Sequence, residues 1–490
     1  MPESSTSVVE NMSWELEREV AHAICEVVAN DVFLGVSLGQ VIGITFDRFQ
    51  GKYSTQAPSR FYAALENLYY LFGRDLYRSW RGKGRFAPKG LPAGRIAIEV
   101  LSTQRKMRGL WGPVAEKLGA GKCILVLGNS NLRSNLPANY SSIALDEVSI
   151  DWRKLRFWML PRLPRWRNDL KRLCIRYGLA PSAHLVVIGN LICQVVRIAE
   201  SHMVGKLIHP RAFLTTWDLG MIGAPLCASL GRQDVPTYTL VHGAIGRQSM
   251  PYFTPLVARR VLVWGNIQRE LFMKAGVDEN QIITVGYQRT MMSPLPTIER
   301  CNSIIQKLNF GNQGRLIVIA FTLLSASDRL IWSNAVRTFS DAMPEARFLC
   351  RLHPSSVLSE FIGLFSDSSN LRVVEADVLS PEETFALADA VVVDSSTFGF
   401  DALLNGKLVG VLDPYSPPKE QAIMLEVVEA GAALYSTNPL DLAKQLHGIW
   451  ADEKRLRSIQ VKAEEFVNRY VCTYGDQAAA RIADVLKAGI

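Results

Sequence analysis

Short runs rich in β-branched residues alternate with longer amphipathic stretches along most of this chain, and this alternation constrains its fold most. Apolar runs such as 96–101, 123–128 and 237–241 are each followed by a helical pattern or by a polar turn. Strands and helices of these lengths in alternation predict a parallel, doubly wound α/β sheet. A proline-containing break at 293–297 separates two such units. We therefore predict an α/β protein with two Rossmann-like domains that face a central cleft.

The chain of 490 residues is too long for one ordinary core, and we divide it into four segments. Residues 1–90 are predicted to form an N-terminal helical region that includes an amphipathic helix at 60–72, and residues 81–94 have the composition of a linker. The predicted domains are the first Rossmann-like domain at 91–293, the second at 294–450, and a C-terminal helix at 451–490 that packs back on the first domain.

The composition is that of a globular protein with a moderate positive charge. Hydrophobic residues make up 48% and charged residues 20%, and the net charge of +8 suits an anionic ligand or an anionic membrane surface. The eight cysteines form no CxxC pair, which predicts free thiols in a reducing compartment. The apolar stretches 32–45 and 185–196 are too short to span a bilayer, and the polar start lacks a signal-peptide pattern. We predict a cytoplasmic protein.

Polar clusters follow several predicted strands, at the sheet edge where ligands of open α/β sheets bind. Asp394, Ser395, Ser396 and Thr397 come directly after the strand at 390–393 and open a helix. The first N–H groups of a helix are unpaired and its dipole favours phosphate, so this cluster is a candidate anion site. The alternative is a plain helix cap by Ser395 or Ser396.

Two more candidate groups belong to the second domain. His353 and Pro354 follow Arg351 at the end of the strand at 347–352, where the proline ends the strand and leaves the histidine able to donate to a phosphate. A turn histidine with a local hydrogen bond is the alternative. Thr322 and Ser325 follow the first strand of this domain and are further candidate polar residues at this edge.

The first domain carries the candidate catalytic groups. Asp218 ends the strand at 212–217 and is either a general base or nucleophile, or a helix cap. His242 ends the strand at 237–241 and precedes glycines that permit close approach of a ligand. A turn histidine is again the alternative. Arg247 and Arg289 would pair with a donor carboxylate or phosphate, or be solvated.

Residues 152–167 form the most basic and aromatic patch of the chain. Such a patch suits peripheral contact with the inner membrane or single-stranded nucleic acid, and a helix with its tryptophans in the core is the alternative. The seven histidines show no HxxxH or HExxH spacing, and the chain has no DxD pair. Metal-independent chemistry without a cofactor is therefore predicted.

The segment 394–413 resembles the donor-site element of GT-B glycosyltransferases. In that superfamily a Ser/Gly-rich turn grips the nucleotide phosphate, and an acidic residue one helical turn later takes the ribose hydroxyls. The resemblance implies that the hydroxyls at 395–397 hold phosphate and that Asp401 holds ribose. The pattern departs at Leu408, where proline is usual. UDP-sugar 2-epimerases share the element with Ser-Gly-Gly, whereas Ser-Ser-Thr is closer to surface-polymer transferases.

Two further segments carry the same resemblance. The stretch 235–243 resembles the "PT...QHG" element of capsule and lipopolysaccharide transferases, which implies that His242 faces the reaction centre and stabilises the leaving phosphate or takes part in proton transfer. The His353-Pro354 pair resembles the motif of sialyltransferases, Kdo transferases and the glycerophosphate polymerases of teichoic acid synthesis. These enzymes leave a cytidine nucleotide, which favours a cytidine-linked donor.

These observations together predict a glycosyltransferase of bacterial surface polysaccharide synthesis that moves a sugar from a nucleotide donor, first of all a CMP-linked one such as CMP-Kdo, to a glycan or glycolipid. The alternatives are a CDP-glycerol-type transferase, a UDP-sugar transferase or epimerase, and a non-catalytic GT-B scaffold; nucleic acid is not expected as a partner. The predicted catalytic residues are Asp218 and His242. The predicted donor-binding residues are Arg247, Arg289, Thr322, Ser325, Arg351, His353, Pro354, Ser395, Ser396, Thr397 and Asp401.

Overall fold

The computed structural model of this protein describes residues 14–41, 93–101, 105–179, 183–289, 296–310, 314–322, 324, 326–354, 356–365, 368–394, 396–416 and 424–489. The predicted helix at 60–72 and most of the predicted linker at 81–94 lie outside the described residues, as do Ser325 and Ser395.

The described part of the N-terminal region is a helix, a two-stranded hairpin and a short second helix. These are α1 (Trp14–Val28), β1 (Val32–Phe33), β2 (Val36–Ser37) and α2 (Leu38–Val41). The strands β1 and β2 are antiparallel, and Leu34 and Gly35 between them both have positive φ angles, which breaks the helix that the sequence predicts here. The apolar face of α1 is buried in the core of the first half.

The first half is built on seven strands of the described residues. They are β3 (Ile96–Val100), β4 (Cys123–Leu127), β5 (Ser142–Ala144), β6 (Ala212–Thr215), β7 (Thr237–Leu240), β8 (Arg260–Val263) and β9 (Ile282–Thr284). Their order is β5-β4-β3-β6-β7-β8-β9, with every pairing parallel. The helices are α3 (Arg105–Leu118), α4 (Trp152–Met159), α5 (Leu163–Arg176), α6 (Ala183–Ile208), α7 (Gly223–Gly231) and α8 (Asn266–Lys274).

The second half is a six-stranded parallel sheet. Its strands are β10 (Leu316–Ala320), β11 (Arg347–Arg351), β12 (Leu371–Val374), β13 (Ala390–Val393), β14 (Leu408–Leu412) and β15 (Leu434–Ser436), in the order β12-β11-β10-β13-β14-β15. The described helices from here to the C-terminus are α9 (Ile298–Leu308), α10 (Ala326–Asp341), α11 (Ser359–Ile362), α12 (Pro381–Leu387), α13 (Thr397–Leu404), α14 (Leu425–Glu429), α15 (Pro439–Ala451), α16 (Glu453–Tyr470) and α17 (Gly475–Ala488).

The predicted fold class is confirmed, since both sheets are parallel and helices connect their strands. Fully buried strands such as β4 and β13 have no exposed face, as the continuous apolar runs predict. The observed ends of strands differ from the predicted ones where a turn follows the strand. Strand β6 stops at Thr215 rather than at residue 217, because the hydroxyl of Thr215 accepts from the N–H of Trp217, and the next helix begins at Gly223.

The expected single C-terminal helix is two helices, α16 and α17. The break between them pairs with the first half: the N–H of Cys472 donates to the carbonyl of Trp264 at 2.9 Å, and the N–H of Tyr287 donates to the carbonyl of Thr473 at 2.8 Å. These hydrogen bonds to residues that follow β8 and β9 take the place of hydrogen bonds within a continuous helix. Helix α17 then packs on α3 of the first half.

The apolar stretch at 185–196 belongs to a longer helix than the sequence suggests. Helix α6 has 26 residues, so the expectation that this segment is too short to span a bilayer was wrong. By length and composition this is the single helix among the described residues that could cross a membrane, and 83% of its most apolar window is buried inside the fold. The helix therefore serves here as the central core helix of the first half.

A buried aromatic joint connects the two halves. The ring of Trp264, after β8, lies 4.1 Å from that of Tyr287 and 5.9 Å from that of Phe400 on α13, and the ring of Phe400 lies 4.4 Å from that of Tyr470 at the end of α16. These rings belong to one hydrophobic cluster that contains residues of both sheets. The facing edges of the two halves are therefore held by a shared core.

Gly286, after β9, packs against the α16–α17 junction and tests how closely the two segments fit. Gly286 has a φ of +98°, and a Cβ there would lie 2.3 Å from the carbonyl oxygen of Thr473. We expect Gly286→Ala to lower the free energy of unfolding by roughly 3 kcal/mol or more, because left-handed strain and a backbone clash add. Thermal and denaturant unfolding measure this.

The matched control is Gly276→Ala. Gly276 has a similar φ of +88° but nothing within 4 Å of its added Cβ, so it should lose only the roughly 1–2 kcal/mol of left-handed strain. Equal losses for the two variants would contradict the close fit at Thr473.

Candidate functional site

Each sheet carries a threonine–carboxylate pair at the point where its strand order reverses. In the first sheet this point lies between β3 and β6, and the hydroxyl of Thr215 donates to the carboxylate of Glu99. In the second sheet it lies between β10 and β13, and the hydroxyl of Thr322 donates to the carboxylate of Asp394. Ligands of open α/β sheets bind outside the strand ends at such points. The two halves thus present matching edges.

Glu99 is a buried carboxyl that the sequence analysis missed. It is 1% exposed, and its second oxygen, Oε1, has no hydrogen-bond partner among the described residues. Burial raises the pKa of Glu99 to about 8, the hydrogen bond from Thr215 opposes this, and the nearby Asp218 adds to it. A lone glutamate inside the apolar strand at 96–100 was the sequence signal that could have identified it.

Asp218 lies in a loop after β6 and is 3% exposed. Its Oδ2 accepts from the N–H groups of Val257 and Ala258, each at 2.8 Å, and its own N–H donates to Thr239 Oγ1 at 3.3 Å. Asp218 does not cap α7, which was its alternative role, because this helix begins five residues later. Burial raises the pKa of Asp218, and the two N–H bonds partly offset this. The carboxylate holds the 257–258 loop behind the site.

His242 follows β7 at the same edge and is half-buried. Its Nδ1 lies 2.9 Å from the carbonyl oxygen of Thr216, and because a carbonyl can only accept, Nδ1 carries the proton. In the neutral tautomer that this bond selects, the lone pair is on Nε2. The rings of Trp217 and Phe253 lie 6.0 Å and 5.6 Å from the imidazole and hold its plane.

The start of α13 faces the His242 loop from the second half. Ser396 caps this helix, since its Oγ accepts from the N–H of Phe398 at 3.2 Å, as the alternative role predicted. Thr397 is the first helical residue, and its Oγ1 lies 3.5 Å from where a Cβ on Gly243 would stand. The first turn of the helix and the histidine loop are thus brought together across the two halves.

Arg351 lies beneath the first turn of α13. It is 9% exposed, its guanidinium lies 5.0 Å from the centre of the Phe398 ring, and its Nη2 donates to the carbonyl of Ala376 at 2.8 Å. Its Nε is buried without a hydrogen-bond partner among the described residues. Burial lowers the pKa of Arg351. His353 and Pro354 follow in the adjoining loop, with His353 half-buried and Pro354 exposed.

Two predicted donor-binding residues meet through a tyrosine that the sequence analysis missed. The hydroxyl of Tyr287, after β9, donates to Asp401 Oδ1 at 3.2 Å, and Arg289 lies 5.8 Å from the centre of the Tyr287 ring. Burial raises the pKa of Tyr287. Its place just after a strand, two residues before Arg289, was the signal available in the sequence.

Arg247 joins the halves by ion pairs. Its backbone N–H donates to Glu426 Oε1 at 2.7 Å, and its guanidinium pairs with Glu426 and Glu429 of α14. The side chain of Arg247 is half exposed. Both acidic partners lie in the second half, so this arginine, five residues after His242, connects the two halves.

The structure therefore places the predicted residues in two groups. His242 and Thr397 face each other with Ser396 and Arg351 beside them. Arg247 and Asp401 take part in contacts between the halves, and Arg289 lies beside Tyr287 in the first half. Among the described residues, no group of three or more His, Cys, Asp or Glu side chains is arranged to hold a metal ion. The roles predicted for the individual residues, and metal independence, stay predictions.

The pKa of Glu99 predicts how stability depends on pH. In the unfolded chain this carboxyl ionises near 4.5 and in the folded chain near 8, so the folded state binds the extra proton. This contribution to stability is complete below about pH 4.5 and is lost as pH rises through about 8. We expect this group to lower the melting temperature between about pH 6 and 8, and Glu99→Gln to remove that part of the fall.

The control is Glu116→Gln, which neutralises an exposed carboxyl on α3. It should keep the pH dependence of the unaltered protein. A Glu99→Gln variant whose melting temperature falls with pH as steeply as that of the control would contradict a proton held at Glu99.

No protein-family model matches this sequence, and no curated protein matches it. Solved structures share its fold. An S. aureus MnaA structure with UDP has a TM-score of 0.51 at 14% identity, over 80% of this chain and 96% of that one. A variant of the wall teichoic acid polymerase TagF with CDPG has a TM-score of 0.51 at 13% identity, over 88% and 98%.

The UDP-GlcNAc 2-epimerase of Neisseria meningitidis bound to UDP-GlcNAc has a TM-score of 0.50 at 12% identity, over 80% of this chain and 100% of that one. Identities this low establish the architecture alone. The chain has the two-sheet fold of the GT-B proteins.

Proposed function

We propose that this protein is a glycosyltransferase that moves a sugar from a nucleotide-activated donor to a glycan or glycolipid acceptor. One observation carries the proposal: the loop of His242 and Gly243 lies directly opposite Thr397 at the first turn of α13. We assign the histidine as a base and the start of the helix as an anion site, next to each other where the two halves meet. Such a pair suits transfer from a phosphate leaving group.

The donor phosphate fits the start of α13. The N–H groups of Phe398 and Gly399 donate to the hydroxyl and the carbonyl of Ser396, so we assign the phosphate to the N–H of Thr397, where the helix dipole favours negative charge. The hydroxyl of Thr397 adds a donor on the cleft side, and Arg351 beneath Phe398 supports the turn. Asp401 lies one turn later, half-buried and bonded to Tyr287, where the ribose hydroxyls are proposed to bind.

In the proposed reaction, the oxygen of an acceptor hydroxyl forms a bond to the anomeric carbon of the donor sugar. The bond from that carbon to the phosphate oxygen breaks, and the nucleotide leaves with the electron pair. The acceptor proton moves to Nε2 of His242, whose lone pair is fixed by the Nδ1–H bond to Thr216. Asp218 holds the loop at 257–258 in the role of a positioning residue.

The donor that we propose first is a CMP-linked sugar such as CMP-Kdo, on the strength of the His353-Pro354 resemblance. Neighbours of the same fold carry UDP and CDPG in their structures, so a UDP-sugar and CDP-glycerol are the alternative donors. The discriminating experiment is thermal stabilisation by CMP, CDP, UDP and GDP at matched concentrations, because a ligand that binds only the folded state raises the melting temperature.

A selective response to CMP would support a CMP-sugar donor, and a selective response to CDP or UDP would replace it with the corresponding alternative. Nucleotide release that requires an acceptor identifies a transferase, whereas interconversion of the sugar without an acceptor identifies an epimerase. No response to any nucleotide would favour a non-catalytic scaffold and overturn the proposal.

The histidine variant tests the base. We expect His242→Asn to lower turnover by about 10²- to 10⁴-fold, the usual contribution of general base catalysis, and to leave the nucleotide-induced melting shift in place. The matched control is His447→Asn on α15, an exposed histidine paired with Glu345, which should keep full turnover. Turnover of His242→Asn within a few-fold of the unaltered protein would remove the histidine from the mechanism.

The aspartate variant separates positioning from catalysis. The amide oxygen of Asp218→Asn can still accept from Val257 and Ala258, so we expect turnover to fall by less than about tenfold if the carboxylate only holds the loop. A loss as large as that of His242→Asn, in a variant that still melts cooperatively, would make Asp218 the base. Steady-state rates at matched donor concentrations measure this.

A further inference from the structure

The positive charge of this chain is concentrated in one helix pair. Nine of its 54 lysines and arginines and one of its 46 aspartates and glutamates lie at 152–176, which covers α4 and α5. The remaining 45 basic and 45 acidic residues balance. The whole net charge of +8 therefore resides on this segment, which we call the basic helix pair.

The inner face of the basic helix pair is fixed to the first half. Leu155, Met159 and Leu170 are completely buried in the cluster that contains α1 and α6. The carboxylate of Asp31, 3% exposed, accepts from the indole N–H of Trp166 at 2.8 Å and pairs with Arg162 and Arg165. The pair is thus a rigid part of the domain rather than a loose arm.

The outer face of the basic helix pair mixes large apolar side chains with cations. The side chains of Phe157, Leu160 and Ile175 are 83%, 44% and 70% exposed. Arg153, one turn before Phe157, and Lys171, one turn before Ile175, are also exposed. Apolar side chains surrounded by Lys and Arg fit the boundary between lipid headgroups and acyl chains.

We infer that this outer face binds an anionic lipid surface, with the basic side chains at the headgroups and Phe157, Leu160 and Ile175 inserted at the acyl boundary. This extends beyond the catalytic proposal and does not depend on it. Single-stranded nucleic acid fits less well, because it stacks successive bases on several exposed rings. Phe157 is exposed, but two other aromatic rings of the pair are covered. Here Trp166 is completely buried and the guanidinium of Arg162 covers Trp158 at 4.1 Å.

The test is cosedimentation of the full chain with vesicles of phosphatidylcholine alone or with added phosphatidylglycerol. We expect binding only to the anionic vesicles and loss of binding at high salt, which screens the charges. The double variant Arg153→Glu/Lys171→Glu should bind at least about twentyfold more weakly, from about fivefold for each basic residue removed near an anionic surface. The variant Phe157→Ser/Ile175→Ser should also bind more weakly, at unchanged net charge.

The control is Lys454→Glu/Arg457→Glu, which makes the same change of net charge on the exposed face of α16. It should bind like the unaltered protein. Equal loss in the control, or equal binding to vesicles of phosphatidylcholine alone, would overturn the proposal. Tighter binding to single-stranded RNA than to anionic vesicles, lost in the Arg153→Glu/Lys171→Glu variant, would overturn it in favour of nucleic acid. Unchanged melting temperatures show that each variant is folded.

Discussion

The arrangement of the cleft depends on the hydroxyl of Tyr470. This buried group donates to the carbonyl of Ile245 and accepts from its N–H, both at 2.7 Å, so it fixes both polar groups of one residue of the His242 loop. Its ring packs on Phe400 of α13. One side chain thus positions the histidine loop and the facing helix at once. The alignment of the two halves follows from these bonds together with the shared apolar core.

The threonine–carboxyl pairs lie where the strand order of each sheet reverses, and the two carboxyls have different surroundings. Glu99 and Asp394 each accept from a threonine at the carboxyl edge of a sheet. Glu99 lies inside a strand, where burial favours its protonated form. Asp394 lies after its strand, next to the start of α13, where a helix end favours a negative charge. The two pairs thus share a hydrogen-bond pattern, but Glu99 lies within its strand and Asp394 lies after its strand.

Much of the fold could be predicted from local sequence, because period and composition are local properties. The strand at 390–393 has the predicted ends. The facing edges follow from topology, since parallel strands bring their carboxyl ends to one side. The break at 471–474 and the Tyr287–Asp401 bond could not be predicted, because each depends on two segments far apart in sequence. The same holds for Arg247, whose partners lie about 180 residues away.

The concentration of charge on α4 and α5 also has a mechanical consequence. A body that is neutral except for one face behaves in solution as a permanent electric dipole. Near any strongly negative surface it experiences a torque before it makes contact, over the roughly 10 Å within which salt leaves the field unscreened. The basic face turns first, so the approach selects one orientation. The nine basic residues of α4 and α5, rather than the cleft, therefore set the direction in which the cleft faces once the protein is bound to the surface.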